Sequence, residues 1–263
     1  MNKTTLMAVA LATCLGYVPA GAAEVVSSNV VGYQKLTIPG KGFALLANPF
    51  TVVGSEGDRF VINDMFTNDG DVSNAGRLQT QADKVQTFNP ATQTYTTYFY
   101  SSRVSGNGWA LSSKPTAAAT DDFEDGAGYW YYNYGDNEIT LNIAGEVATN
   151  EVTVTLVPGF TLVCNPFPAD LAINGDIDWA TAGANAGRLQ TQADKIQTFN
   201  PSTQTYSTYF YSSRVSGNGW ALSSKPTAAT TDPIPAGGGF WYFNYGNESI
   251  TITLKSPLAA TQD

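Results

Sequence analysis

Lys84-Val85-Gln86-Thr87-Phe88-Asn89-Pro90-Ala91-Thr92-Gln93-Thr94-Tyr95-Thr96-Thr97-Tyr98-Phe99-Tyr100 is the stretch whose reading decides the fold. Two runs rich in Thr, Val and aromatic residues flank Asn89-Pro90. Asn can start a turn there, and Pro presets φ for its second position. The stretch is therefore a predicted β-hairpin, with strands at 84–88 and 94–100. In the second arm Tyr95, Thr97 and Phe99 point to one face while Thr96, Tyr98 and Tyr100 point to the other, so both faces carry rings.

The same hairpin returns 111 residues later. Asn74 to Ala118 and Asn185 to Ala229 differ at three of 45 positions, Val85/Ile196, Ala91/Ser202 and Thr96/Ser207, which is a tandem duplication. Weaker likeness extends outward. Gly42-Phe43-Ala44-Leu45-Leu46-Ala47-Asn48-Pro49-Phe50 returns as Gly159-Phe160-Thr161-Leu162-Val163-Cys164-Asn165-Pro166-Phe167. Gly126-Ala127-Gly128-Tyr129-Trp130-Tyr131 returns as Gly237-Gly238-Gly239-Phe240-Trp241-Tyr242. Further predicted strands run over 30–38 and 43–47, both apolar enough to be buried, and over 129–134 and 139–143, with the last two expected to pair around Gly135-Asp136-Asn137. In the second copy 240–245 and 250–254 play the same parts. Only 59–66 and 177–184 suit a short helix. The expected fold class is all-β: two tandem homologous sandwich or barrel-like domains, at 24–145 and 146–257, with at most one short helix each and a tail at 258–263.

The address is read from the first residues. Lys3, an apolar run from Leu6 to Val18, Pro19 and the small residues to Ala23 match a secretory signal at 1–23, so the protein is expected to be secreted, outside the cell or in the periplasm or on the cell surface. The run is too short to span a bilayer. Cleavage would remove Cys14 and leave Cys164 alone in an apolar strand, without a disulfide.

Composition excludes more than it admits. Among 263 residues there is no His, which removes Ser-His-Asp and Cys-His nucleophile systems and His-ligated metals. The net charge of −9 argues against nucleic acid and anionic membrane surfaces. Carboxylates are the remaining acid/base groups, yet Asp83 and Asp194, each beside a lysine, suit a solvated pair at a strand edge. Asp121-Asp122-Phe123-Glu124-Asp125 becomes Thr231-Asp232-Pro233-Ile234-Pro235 in the second copy, so a two-carboxylate glycosidase would exist in one copy only. Asn68-Asp69-Gly70-Asp71 lacks the spacing of a calcium loop and suits a surface turn. No enzyme, cofactor or metal is expected.

The rings offer a different chemistry. Tyr98, Tyr100, Trp109 and Trp130, with Tyr209, Tyr211, Trp220 and Trp241, sit among Asn, Gln, Ser and Thr, as stacking rings do on sugar-binding surfaces. The same rings equally suit a core and cross-strand pairs in a sheet poor in Leu and Ile.

Ser27-Ser28-Asn29-Val30-Val31-Gly32-Tyr33, Ile38-Pro39, the Gly-Phe-x-Leu-x-x-Asn-Pro-Phe segment and the late Gly-x-Gly-Phe/Tyr-Trp-Tyr resemble a family of secreted repeat proteins of Verrucomicrobia, Kiritimatiellae and Lentisphaerae bacteria. The resemblance implies export, β structure and duplication. Its motifs are strand, turn and ring signatures, none catalytic. The Gln- and Tyr-rich block at 74–118 departs from the family habit. Two functions follow as expectations: a non-enzymatic secreted or surface protein that meets copies of itself or envelope polymers, or a carbohydrate-binding module that uses the rings.

Overall fold

The Asn89-Pro90 hairpin forms in the computed structural model, which describes residues 31–52, 59–66, 74–123, 126–147 and 150–256. Asn89 Oδ1 accepts from the backbone N–H groups of Ala91 and Thr92 at 2.9 and 3.2 Å, and Gln93 closes the turn at a left-handed φ of 55°. The expected signal segment, the tail and the Asn68–Asp71 turn lie outside the described residues.

The first half contains β1 (Val31–Ile38), β2 (Phe43–Leu46), β3 (Phe50–Thr51), β4 (Lys84–Asn89), β5 (Thr94–Ser101), β6 (Gly108–Leu111), β7 (Tyr129–Tyr132) and β8 (Ile139–Val147). They form a five-stranded sheet, β2-β7-β4-β5-β6, and a three-stranded one, β1-β8-β3. The second half contains β9 (Val152–Leu156), β10 (Gly159–Cys164), β11 (Leu171–Ala172), β12 (Lys195–Asn200), β13 (Thr205–Ser212), β14 (Gly219–Leu222), β15 (Pro233–Ile234), β16 (Gly239–Asn244) and β17 (Ile250–Leu254). Its five-stranded sheet, β10-β16-β12-β13-β14, repeats the first order, while β17-β9 and β11-β15 are two-stranded. The protein is all-β and sandwich-like, and none of these sheets closes into a barrel. Its two short helices are α1 (Ile62–Met65) and α2 (Trp179–Ala182).

Two expectations about pairing are corrected. β7 and β8 do not pair with each other: β7 lies between β2 and β4, and β8 lies between β1 and β3. The cause is a corner at Asn133, whose side chain donates to the carbonyls of Ile38, Pro39 and Asn137 and accepts from the Gly135 N–H at 2.8 Å. These bonds tie the turn at 135–137 to the end of β1, and there the chain crosses from one sheet to the other. The second correction concerns β1, expected to be buried. It alternates exposed and half-buried residues because only its inner edge and one face are covered. β8 also runs past residue 145, so the passage between halves falls after Val147.

The inner face of each five-stranded sheet packs on the smaller sheet. In the first half Val85, Tyr98, Trp109, Tyr129 and Tyr131 meet Ile38, Ile139, Leu141 and Ile143. In the second half Ile196, Tyr209, Trp220, Phe240 and Tyr242 meet Leu156, Ile252 and Leu254. Large rings stand beside the aliphatic side chains in both cores.

The outer faces meet each other. Leu45, Trp130, Leu162 and Trp241 form a third apolar cluster, flanked by Phe43, Phe88 and Phe199. Its contacts are reciprocal. Phe88 meets Trp241 at 4.8 Å between centroids, and Phe199 meets Trp130 at 4.9 Å. Gln93 bonds both the N–H and the C=O of Phe160, at 3.1 and 2.8 Å, while Gln204 does the same to Phe43, at 3.0 and 2.9 Å. The halves are thus related about a local pseudo-twofold axis through the junction.

Candidate functional site

The rings expected to form a ligand platform lie inside. Trp109 and Trp220 are fully buried in the two inner cores, and Tyr98, Tyr209 and Tyr211 are buried beside them. Tyr100 is half-buried against Trp109, 5.6 Å away. Trp130 and Trp241 are each 7% exposed, because the outer face of one half covers the outer face of the other. These side chains therefore do not form an open stacking surface, and the core reading of the rings describes their positions. A period-two pattern separates faces; it cannot say that a second copy will cover the outer one.

Asp83 and Asp194 are a further correction. Neither is a solvated strand-edge group, since both are fully buried. Neighbouring residues in a strand point to opposite faces, so Lys84 lies outside over the Tyr132 ring while Asp83 points inward. Asp83 accepts from the Tyr131 hydroxyl at 3.0 Å, the Tyr134 N–H at 2.7 Å, and both the backbone N–H and the amide of Asn74 at 3.1 Å. Burial raises its carboxyl above the usual range even though these bonds favour the charged form. Asp194 is held by Tyr242, Tyr245 and Asn185 in the same way. Both carboxylates fasten the loop at 74 or 185 to the sheet corner.

What the outer faces leave open is a groove of about 310 Å3 at the junction, lined by Phe43, Gln86, Tyr95, Trp130, Phe199 and Tyr206. Tyr95 and Tyr206 are 49% and 50% exposed and stand on opposite sides of the pseudo-twofold axis. Tyr95 lies edge-on to Trp241 at 6.2 Å and lines the groove beside Trp130. Tyr206 lies edge-on to Trp130 at 6.3 Å. Partial burial raises both phenols above their ordinary range, so both are neutral at physiological pH. Gln86 bonds Thr97 Oγ1 at 3.0 Å through one amide hydrogen, and its copy Gln197 bonds Thr208 at 3.2 Å. The groove thus combines half-exposed rings with amide and hydroxyl groups. The sequence carried a signal for Tyr95, because alternation sets it on the face opposite Tyr98; the partner surface beside it left none.

A second cleft, of about 500 Å3, opens where Tyr98 meets Asp121 and Asp122, beside Thr87, Asn89 and Phe123. Burial pushes the Tyr98 hydroxyl up to about 12, with a further contribution from Asp121. In the second half burial and a 2.9 Å bond to Asp232 push Tyr209 up to about 12 as well. There Pro233–Ile234 pairs with Leu171–Ala172 beside it. Among the described residues no three His, Cys, Asp or Glu side chains are grouped as metal ligands, and no helix is long and apolar enough to cross a membrane. Comparison with known protein families, curated proteins and solved structures gave no match.

Proposed function

We propose that this is a non-enzymatic, exported interaction protein that binds a glycan in the groove between its halves. The observation that carries the reading is the pair of half-exposed tyrosines, Tyr95 and Tyr206, set edge-on against Trp241 and Trp130 in a groove that Gln86 also lines. Rings held at a set tilt stack on apolar sugar faces, and amides bond sugar hydroxyls. Two related half-sites on one axis add avidity toward a polymer that engages both. A role without catalysis is supported by the lack of His and by the structural employment of Asp83 and Asp194.

The test is binding of the mature chain to a panel of neutral plant, algal and host glycans, followed by Tyr95→Ala with Tyr206→Ala. A hit weakened at least tenfold in the double variant, with unchanged thermal unfolding, supports the groove. Silence across the panel, or a hit that the variant keeps in full, sinks it.

Self-association is a second reading with its own observation. β1 lies at the edge of its sheet, with Val31 60% and Tyr33 69% exposed, and such an edge can pair with another chain. Sedimentation at rising concentration should then show an oligomer that Val31→Lys with Tyr33→Lys dissolves; a monomer at every concentration removes this reading.

A further inference from the structure

The charge of this protein is divided unequally. Each near-identical block holds four cations, Arg77, Lys84, Arg103 and Lys114 or Arg188, Lys195, Arg214 and Lys225, against one acid. That single acid, Asp83 or Asp194, is buried and already bonded. The rest of the chain has five cations and twenty acids. Each block is therefore a basic region, net +3, in a protein whose total is −9.

Two of these cations line one cleft. A depression of about 290 Å3 is bounded by Arg77, Gln79, Thr80, Phe99, Arg103 and Ser112. Backbone bonds build it: the Gly76 N–H donates to Tyr100 O, and the Ser102 N–H donates to Gly76 O, each at 3.0 Å, which sets Arg77 beside the end of β5. The Ser101 hydroxyl donates to Pro115 O at 2.6 Å and accepts from the Arg103 N–H at 3.2 Å. Ser112 donates to Gln79 Oε1 at 2.8 Å across the rim. Gly76 has no room for a side chain, because a Cβ there would lie 2.4 Å from Gln81 O. Among the described residues no carboxylate pairs with Arg77 or Arg103. Gly187, Ser212, Arg214, Ser223 and Gln190 repeat these bonds in the second half.

The cleft shares a sheet face with the junction groove. Tyr95, Thr97 and Phe99 follow one another on the outer face of β5, and four residues of strand span about 13 Å. A polymer in the groove would extend toward Arg77 and Arg103.

We propose that the Arg77/Arg103 cleft and its Arg188/Arg214 copy bind the acidic groups of an anionic polysaccharide. Guanidinium groups present paired donors that match carboxylate or sulfate oxygens, and Ser112, Thr80 and Gln79 offer partners for hydroxyls. The choice of a sugar polymer rests on the glycan reading above; the anionic requirement rests on the arginines alone.

The experiment measures binding of the mature chain to polygalacturonate, dextran sulfate, neutral dextran and single-stranded DNA at 50 and 300 mM salt. Polygalacturonate and dextran sulfate separate carboxylate from sulfate, and binding of either supports the site. The expected result is binding of at least one, weakened about tenfold or more by the added salt. Arg77→Gln, Arg103→Gln, Arg188→Gln and Arg214→Gln together should abolish it, and the four Arg→Lys changes should retain most of it. Equal binding of DNA overturns the assignment to a polysaccharide. Wild type silent on both acidic polymers, or the Gln variant binding as wild type, overturns the site. Loss through the arginines with no effect of Tyr95→Ala and Tyr206→Ala keeps this inference and removes the groove reading; the reverse pattern removes this inference alone.

Discussion

The two halves share a sheet and differ in what closes it. In the first half Phe66, just after α1, and Phe123 cover the inner rings: Phe66 lies 5.4 Å from Trp109, and Phe123 lies 4.7 Å from Tyr129. In the second half Trp179, at the start of α2, stacks on Tyr242 at 5.5 Å with an interplanar angle of 3°, and its indole N–H donates to Ile173 O at 2.7 Å. Yet Asn63 and Asn174 do the same work in both. Each bonds the N–H and the C=O of the buried tryptophan, Trp109 or Trp220. The near-identical blocks supply the buried tryptophan of each core, and the diverged segments bring the same asparagine to it together with a ring of their own. That explains why one cover continues as a helix after its asparagine and the other begins a helix five residues beyond it.

The sharpest way to break this comparison is to remove the covering ring from each half. Trp179→Ala and Phe66→Ala are each expected to cost about 3–5 kcal/mol by urea unfolding. A cost below about 1 kcal/mol for either one would mean that its half does not depend on a ring at that corner. Next come the buried acids. Asn in place of Asp83 or Asp194 turns donors toward the tyrosine-corner N–H groups, and each change should cost on the order of 2–3 kcal/mol. Equal losses would support equal corners; a near-neutral Asp83→Asn would show that its raised pKa already makes the carboxyl a poor anchor. The junction is the third point of comparison. Gln93→Ala and Gln204→Ala each remove two exposed bonds across the axis, so about 1 kcal/mol apiece is expected, with matching values for the two.

The last effect is confined to alkaline solution and is absent near neutral pH. Tyr98 and Tyr209 lose their protons at about 12 in the fold and near 10 when unfolded. Between those values the folded state holds more protons, so stability must fall as pH rises through that window and stay flat below it. Ultraviolet titration of phenolate with parallel unfolding curves tests this. Tyr98→Phe and Tyr209→Phe should each remove part of the alkaline slope, and an unchanged slope in both would refute the linkage.

Much of this was legible in the chain. The Asn89-Pro90 turn, the alternation at 94–100 and the offset of 111 residues mark the hairpin, its two faces and its repetition, because turn chemistry and strand period are local. The corner at Asn133 was not legible, since Gly135-Asp136-Asn137 suits a hairpin as well as a crossing, and the choice lies with the distant carbonyls of Ile38 and Pro39. Nor was the burial of Trp130 and Trp241, which depends on a surface 111 residues away. For the site, residue types pointed to rings among amides. Which outer-face rings remain open was decided by the junction, where Tyr95 and Tyr206 stay half-exposed while Trp130 and Trp241 are covered.

That junction also has a consequence for how the two halves can differ. Each half offers the same patch to the other, so that Gln93 meets Phe160 where Gln204 meets Phe43, which is the arrangement of an isologous homodimer. Here both sides of the axis lie in one chain. A true homodimer must repeat every substitution on both sides of its axis, whereas a covalent one can change a single side. The different covers at Phe66 and Trp179 are one-sided differences of that kind.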